Sequence, residues 1–139
     1  MTERPDWDAY FLAGAQWAGT RATCPKRSVG ALIVREQRII ASGYNGAPAG
    51  ESHCDEIGCL ERDGHCIRAM HAEENAIIHA TVPVVGATIY LDGGSPCYRC
   101  ARLLIAVEVR RVVFRGRYDD DEALAMLSRS GVVVQEVRV

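Results

Sequence analysis

The sequence predicts an α/β fold, because segments with helical patterning alternate with short apolar runs through its second half. Of the 139 residues, 48% are hydrophobic and 24% are charged, which is the balance of a globular protein. That length suits one compact domain, and no internal repeat, linker or low-complexity tract divides the chain. We therefore expect a single domain over residues 1–139.

Helix-start signals and apolar runs predict the elements of the first half. Pro5 precedes an acidic stretch at residues 6–8, and apolar side chains between residues 10 and 18 can share one helical face. This pattern predicts a helix that ends between residues 20 and 25. Residues 29–34 and 38–44 are apolar runs around a polar break, and they predict a β-hairpin. Glycines and prolines between residues 43 and 50 then open a long loop.

The second half predicts three helices that alternate with three strands. Pro83 ends the first of these helices, Pro96 introduces the second, and Gly131 suits the position just past the third. The predicted helices cover residues 71–80, 98–107 and 121–130, and the predicted strands cover residues 87–91, 111–114 and 132–139.

Charge and hydropathy exclude several classes of protein. The formal net charge is −2, and basic residues are scattered among acids rather than gathered in the stripe typical of proteins that track a phosphate backbone. We therefore expect a small-molecule ligand and no polymeric nucleic acid. No apolar run approaches the roughly 18 residues of a membrane span, and the polar, acidic residues 1–8 are not typical of a signal peptide. These features predict a cytoplasmic protein that does not bind membranes.

Two short segments at predicted helix starts carry residues typical of a metal site. They are His-Ala-Glu from residue 71 and Pro-Cys-Tyr-Arg-Cys from residue 96. Cys97 and Cys100 lie three residues apart, so both sulfurs project from one side of a first helical turn, whose partial positive charge favours thiolates. Zinc accepts two thiolates and one imidazole, which leaves one tetrahedral position for water. We predict that His71, Cys97 and Cys100 bind a catalytic zinc and that Glu73 transfers protons.

The alternative for these segments is a closed structural zinc site, in which Cys97 and Cys100 join two further protein ligands. A Cys-x-x-Cys pair alone is also compatible with redox chemistry. The His-Ala-Glu segment argues against both alternatives, because neither needs a carboxylate at residue 73. For Glu74 and His79, on the same predicted helix, we expect packing or surface roles.

Four further cysteines lie outside that motif: Cys24, Cys54, Cys59 and Cys66. Disulfides are typical of small secreted domains, whereas reduced cytoplasmic thiols more often bind metal. Four thiols are enough for a closed tetrahedral zinc site, and His65 is an alternative ligand. Spacing does not fix the ligand set, and free buried cysteines are the other interpretation.

With these segments in view, the sequence resembles the deoxycytidylate (dCMP) deaminases of the cytidine deaminase superfamily. The His-x-Glu and Pro-Cys-x-x-Cys pair is typical of zinc deaminases as a class. More specific matches start at residues 23 (Thr-Cys-Pro), 28 (Ser-Val-Gly-Ala), 43 (Gly-Tyr-Asn-Gly), 53 (His-Cys-Asp), 64 (Gly-His-Cys-Ile-Arg) and 75 (Asn-Ala-Ile). The resemblance implies a three-layer α/β/α cytidine deaminase-like fold with a mixed five-stranded sheet. It also implies hydrolysis of dCMP to dUMP and ammonia, which supplies thymidylate synthesis.

The resemblance further implies roles for residues outside the zinc motif. Asn45 would contact the sugar, Lys26 and Arg27 would help to hold the phosphate, and Tyr118 would lie near the nucleotide. Many relatives are hexamers regulated by dCTP and dTTP, so we expect a homo-oligomer, a dimer or a hexamer, with these effectors. Some relatives carry a second zinc in the region that corresponds to Cys24 and Cys54.

The segment before Cys97 departs from the family pattern. Relatives usually read Tyr-Val-Thr-x-x-Pro-Cys, whereas this chain is one residue longer and carries Asp92, Gly93 and Gly94. Either the glycines admit a differently shaped substrate or they are a local insertion. The alternative functions are deamination of another pyrimidine (a nucleoside, a free base or a modified cytosine nucleotide) and, less favoured, a tRNA adenosine deaminase or an inactive zinc-stabilised nucleotide-binding module.

Overall fold

The structure is a computed structural model that describes residues 3–116 and 120–138, without the side chain of His65. Tyr118, expected near the nucleotide, lies outside the described residues. The helices are α1 (Trp7–Gly19), α2 (Cys54–Ile57), α3 (Ala72–Ile78), α4 (Tyr98–Ala106) and α5 (Asp121–Arg129). The strands are β1 (Gly30–Arg35), β2 (Arg38–Tyr44), β3 (Glu61–Arg62), β4 (His65–Cys66), β5 (Thr88–Asp92), β6 (Arg111–Arg115) and β7 (Val133–Glu136).

Five strands form one mixed sheet in the order β2-β1-β5-β6-β7. Strand β1 pairs antiparallel with both β2 and β5, whereas β5, β6 and β7 run parallel. Strands β3 and β4 form a separate hairpin. The mixed five-stranded sheet is therefore confirmed. Because β5 and β6 are parallel, their carboxyl ends meet at one edge of the sheet, and the segment that leads to Cys97 starts there.

Helices cover both faces of the sheet because its central strands are apolar on both faces. Alternate residues of a strand point to opposite faces. One face packs on α1, through the buried residues Phe11, Leu12, Ala15, Leu32, Val34, Tyr90 and Val113. The other packs on α3, α4 and α5, through residues that include Ala31, Ile33, Ile89, Leu91, Val112, Phe114, Ala76, Leu104 and Leu127. The predicted three-layer α/β/α arrangement is confirmed.

A polar network anchors α1 to the sheet. The Asp8 carboxylate accepts two hydrogen bonds from Arg111 of β6, at 2.9 and 2.6 Å, and one from the Tyr90 hydroxyl of β5, at 2.7 Å. The Arg111 guanidinium lowers the pKa of Asp8, and burial together with Asp8 raises the pKa of Tyr90 to about 12. The network therefore joins one helix to two strands.

Several predicted boundaries differ from the observed ones. The helix predicted over residues 71–80 is α3 (Ala72–Ile78), and the final strand predicted over 132–139 is β7 (Val133–Glu136). The elements α2, β3 and β4 were not predicted, because segments of four or two residues are too short to show periodicity. Among the described residues, no helix combines the length and the apolar composition that crossing a bilayer requires.

Candidate active site

Two helix N-termini supply the residues predicted to bind the catalytic metal. His71 is the N-cap of α3 and Cys97 is the N-cap of α4. The backbone N–H of Cys100, in the first turn of α4, donates to Cys97 Sγ at 3.4 Å. An N-cap side chain folds back over the first helical turn, where unpaired N–H groups and the helix dipole favour negative charge. The local folding of α4 therefore favours thiolates at the positions where the motif has cysteines.

The three predicted ligands of the catalytic metal converge. His71 Nδ1 lies 3.2 Å from Cys100 Sγ and 3.5 Å from Cys97 Sγ, and the three ligand atoms all lie within 4.8 Å of one another. A tetrahedral zinc with Zn–N of about 2.0 Å and Zn–S of about 2.3 Å places its nitrogen and sulfur ligands about 3.5 Å apart. The donor set and its spacing therefore fit zinc. This group of described residues has three members, so a tetrahedral ion would keep one position for a non-protein ligand.

Hydrogen bonds between the donor groups shift their pKa values in opposite directions. The hydrogen bond from Cys100 lowers the pKa of Cys97 to about 4, with a further contribution from His71. The same contact and burial raise the pKa of Cys100, and the hydrogen bond to Cys97 raises the pKa of His71. Without a metal, Cys97 is therefore the thiolate, and Cys100 keeps its proton and donates it to Cys97. A divalent cation between the two sulfurs would favour the loss of both protons, because it stabilises both thiolates.

Glu73 is a buried carboxylate beside this group. Its side chain is 4% exposed and lines the same cavity as His71 and Cys97. Burial raises the pKa of Glu73, although its own backbone N–H and the neighbouring His71 act in the opposite direction. A raised pKa brings a carboxyl closer to the neutral range, where it can both accept and donate a proton. The position and the environment of Glu73 therefore suit proton transfer.

A cavity of about 510 Å³ opens in front of these residues. This volume suits a small-molecule ligand such as a nucleotide. Its wall carries three arginines, Arg27, Arg62 and Arg99, together with the acids Asp63 and Asp120. Although basic and acidic residues are mixed along the sequence, the fold places three guanidinium groups at the cavity.

The structure brings some of the predicted substrate-binding residues to the cavity. Asn45 and Arg27 line it, and the buried Asn45 amide accepts from the Val29 N–H at 2.9 Å and donates to the Arg27 carbonyl at 3.0 Å. Lys26 does not line this cavity: it is exposed and pairs with Glu61. Asn45 therefore also fixes the backbone of the segment that carries Arg27.

A second group of thiols lies around the β3–β4 hairpin. The sulfurs of Cys54, Cys59 and Cys66 all lie within 4.8 Å of one another, and those of Cys54 and Cys66 are 3.6 Å apart. Two thiolates on a tetrahedral zinc lie about 3.8 Å apart for Zn–S bonds of about 2.3 Å. Cys24 is outside this group but lines the cavity together with Cys66. Three of the four cysteines considered for a second metal site are therefore close together.

The electrostatics of the three thiols differ. Burial raises the pKa of Cys54 to about 12, and it also raises the pKa of Cys59. Burial acts in the same direction on Cys66, but three backbone N–H donors outweigh it and lower the pKa of Cys66 to about 7. Cys66 is therefore the thiol of this group that ionises most readily.

The chain matches a known protein family over most of its length. The family profile described as "Cytidine and deoxycytidylate deaminase zinc-binding region" matches residues 5–115. The chain belongs to this family. As a member, the protein is a hydrolytic deaminase with a zinc-binding site, and the predicted fold and enzyme class are both confirmed.

Named relatives agree with this assignment. The deaminase is 41% identical to ComE operon protein 2 of Bacillus subtilis over 99% of its own length and 74% of that protein. It is 39% identical to the deoxycytidylate deaminase of Saccharomyces cerevisiae over 96% of its own length, but it spans only 45% of that protein. The crystal structure of dCMP deaminase from the cyanophage S-TIM5 in complex with dCMP and dUMP superposes with a TM-score of 0.84 at 25% identity. That alignment covers 98% of this chain and 100% of the phage chain.

The two glycines that depart from the family pattern let the backbone pack closely beside the cavity. Gly93 has φ of +100°, and a Cβ there would lie 2.1 Å from the Ser28 carbonyl oxygen. A Cβ on Gly94 would lie 2.8 Å from Nη2 of Arg27, whose guanidinium donates to the Gly93 carbonyl at 3.4 Å. Asp92 pairs with Arg115 at 2.6 Å at the end of β5. The departure in this deaminase therefore accommodates the Arg27 side chain at the cavity wall.

Sequence reasoning missed two residues that connect the helices of the metal-binding motif. Glu74, expected to be only a packing or surface acid, accepts from the His71 N–H at 2.9 Å and from Arg99 at 3.1 Å. A glutamate three residues after an N-cap is a known capping signal, so the first contact could have been predicted. The second contact could not, because it depends on how α3 and α4 are placed relative to each other.

Proposed function

We propose that this deaminase converts dCMP and water to dUMP and ammonia. The observation that carries the proposal is the convergence of one imidazole and two thiols beside the buried Glu73, at a cavity bounded by Asn45 and Arg27. The likeness to deoxycytidylate deaminases supports the choice of a cytosine nucleotide. We further propose that residues 1–139 act as one catalytic domain.

In the proposed mechanism, His71 Nδ1 and the sulfurs of Cys97 and Cys100 would hold the catalytic zinc. When bound, this zinc would supply an activated water as the nucleophile for the amino-bearing carbon, because zinc lowers the pKa of a coordinated water to about 7. Glu73 takes a proton from the water and delivers it to the ring nitrogen. The same carboxylate then takes the remaining proton of that water, now on the hydroxyl of the ring carbon, and carries it to the amine, so that the carbon–nitrogen bond breaks and ammonia leaves. Burial of Glu73 keeps these transfers away from bulk solvent.

Nucleotide binding is assigned to Asn45 and Arg27, which line the same cavity. The Asn45 amide donates one N–H to the Arg27 carbonyl and accepts one hydrogen bond from the Val29 N–H. Its second N–H and second oxygen lone pair could therefore bind a sugar hydroxyl. The Arg27 guanidinium supplies a positive charge for the phosphate. Lys26 would reach that phosphate only by leaving Glu61. Tyr118 keeps its proposed place near the nucleotide on the family resemblance alone.

We also propose a second, structural zinc on Cys54, Cys59 and Cys66. Cys24 is the preferred fourth ligand, because it lines the same cavity as Cys66. His65 is the alternative fourth ligand. Such an ion would stabilise the β3–β4 hairpin, and the adjoining Arg62 and Asp63 line the substrate cavity. A structural zinc here would therefore help to shape the active site.

Assembly, regulation and location are proposed from the family pattern and from the sequence. We expect a cytoplasmic homo-oligomer, a dimer or a hexamer, that responds to dCTP and dTTP. Light scattering on the purified protein, with and without each nucleotide, would give the mass and reveal any change on binding. A monomer unaffected by either nucleotide would contradict this part of the proposal.

A substrate panel with a Glu73 variant tests the proposed reaction. Ammonia release from dCMP, deoxycytidine, cytosine and CMP should be fastest with dCMP. Glu73→Ala should keep its zinc but lose at least about 100-fold in rate, the usual scale of general acid–base catalysis. Glu122→Ala, which removes an exposed carboxylate, is the matched control. Turnover of another substrate while dCMP is untouched would refute the substrate, and an active Glu73→Ala protein would refute the mechanism.

A further inference from the structure

We infer that Glu74 and Arg99 are positioning residues that hold the two metal-binding helix N-termini in register. The inference rests on the proposed zinc-dependent reaction, for which His71 comes from α3 and the two cysteines come from α4. These helices are separate in the sequence, so helix formation alone does not set the distance between the imidazole and the sulfurs. Both helices pack on the same face of the sheet, and a direct contact between the two N-termini would restrict that distance further.

One carboxylate oxygen makes this connection. Oε1 of Glu74 accepts from the backbone N–H of His71 at 2.9 Å and from Nη2 of Arg99 at 3.1 Å. His71 is the N-cap of α3, so its backbone orientation directs its own ring. Arg99 directly precedes Cys100 and lies two residues after Cys97. The chain of contacts thus runs from one zinc ligand to the segment that holds the other two.

The start of α4 is also held from another direction. The N–H of Tyr98 donates to Asp120 Oδ2 at 2.9 Å, and Oδ1 of the same carboxylate accepts from the Ala123 N–H at 3.1 Å. Asp120 therefore ties α4 to α5, while Glu74 and Arg99 tie it to α3. With α4 held on two sides, removal of the Glu74–Arg99 contact should loosen the site without unfolding the helix.

The solvent exposure of the Glu74 and Arg99 side chains indicates how much kcat and metal affinity should fall when their contact is removed. The Glu74 side chain is 19% exposed and the Arg99 side chain is 58% exposed, so solvent partly screens the ion pair. Residues that orient metal ligands typically contribute 10- to 100-fold in metal affinity or activity, and for this screened pair we expect about 10-fold. The loss should appear in kcat and in metal affinity, because both depend on ligand geometry.

Arg99 also lines the substrate cavity, so a direct contact with the substrate phosphate is the rival role. The two roles predict different kinetics. A positioning residue lowers kcat and weakens metal binding while the KM for dCMP changes little. A phosphate contact raises the KM for dCMP, leaves metal affinity unchanged, and has no effect on deoxycytidine, which has no phosphate.

The test compares Glu74→Gln, Arg99→Met and Arg99→Lys with the wild-type deaminase. Glu74→Gln keeps an oxygen that can accept from His71, so α3 should still form. Arg129→Met is the control, because it removes a guanidinium of equal exposure from an exposed ion pair on α5. The measurements are kcat and KM, the Co²⁺ absorption spectrum of substituted protein, and metal release to a chelator. Urea unfolding monitors the fold of each variant.

We expect Arg99→Met to lower kcat about 10-fold and to speed metal release to a similar extent. Glu74→Gln keeps an oxygen that can accept from both partners and removes only the charge, so it should change both quantities in the same direction by a smaller factor. Arg99→Lys should recover part of the loss, and the double variant Glu74→Gln/Arg99→Met should be little worse than Arg99→Met alone, because both substitutions act on the same contact. Wild-type kcat and metal release in both single variants would overturn the inference. So would a raised KM for dCMP as the only change in Arg99→Met. If wild-type protein fails to deaminate dCMP, the proposed substrate is wrong, and the Co²⁺ spectrum and metal release still decide the role of the pair.

Discussion

Replacing Asp8 with alanine should lower the free energy of unfolding by about 2–3 kcal/mol. The Asp8 carboxylate accepts three hydrogen bonds, two from Arg111 and one from Tyr90, and its removal leaves these donors without that acceptor. Breaking a fully buried ion pair costs about 3–5 kcal/mol, whereas an exposed pair contributes up to about 1 kcal/mol. The Arg111 and Asp8 side chains are 27% and 26% exposed, so the expected cost lies between these limits.

Glu122→Ala is the matched control for this substitution. Asp8 and Glu122 are both acids in the first turn of a helix, and both pair with an arginine at 2.6 Å. The alanine substitutions therefore remove the same favourable interaction with the helix dipole. The Glu122–Arg129 pair is exposed, with side-chain exposures of 60% and 58%, so Glu122→Ala should lower the free energy of unfolding by less than about 1 kcal/mol.

The pH dependence gives a second check on the Asp8 network. Arg111 lowers the pKa of Asp8 in the folded protein, so this group stabilises the fold above its unfolded pKa of about 3.9. The stabilisation is lost as the pH falls through the lower folded pKa. Urea unfolding followed by circular dichroism should therefore show a smaller difference between wild type and Asp8→Ala at pH 3 than at pH 7. Equal losses in Asp8→Ala and Glu122→Ala at pH 7 would refute the reasoning.

Three further substitutions test the packing around the site. Gly43→Ala would place a Cβ 2.5 Å from the backbone of α3, so it should lower the free energy of unfolding by about 1–3 kcal/mol and also lower kcat. Urea unfolding and steady-state kinetics measure the two effects, with Ser42→Ala as the control, and an unchanged kcat would contradict this expectation. Gly94→Ala should displace the Arg27 guanidinium and raise the KM for dCMP by about 5-fold, which corresponds to about 1 kcal/mol, while the KM for deoxycytidine stays constant; a parallel rise for both substrates would exclude a phosphate contact. Cys59→Ser should lower the zinc content by one ion per chain while the catalytic ion stays bound, and unchanged content in metal analysis would argue against a zinc at these thiols.

The sequence predicted the elements whose patterns are long and local. The apolar runs predicted the strands of the main sheet. The prolines and glycines near the helix ends predicted where three of the helices begin or end. The catalytic group was predictable because His71 and Cys97 are N-cap residues, which the helix-start pattern locates within a residue or two. The small elements between residues 51 and 68 have too few residues for periodicity to appear.

Contacts between distant parts of the chain could not be predicted in the same way. Lys26 was expected at the phosphate, but its ammonium pairs with Glu61, 35 residues away in the sequence. The contact between Glu74 and Arg99 spans 25 residues and depends on how two helices pack on one sheet. Spacing within a motif predicts which side chains share a helix end, and it contains no information about neighbours that the fold brings together.

Anomalous diffraction at the zinc edge from crystals of the zinc-loaded protein would test the catalytic centre. We predict a peak bonded to His71 Nδ1 and to the sulfurs of Cys97 and Cys100, with a non-protein ligand in the fourth position within reach of Glu73. A peak closed by a fourth protein ligand, or no peak between these three residues, would contradict the assignment.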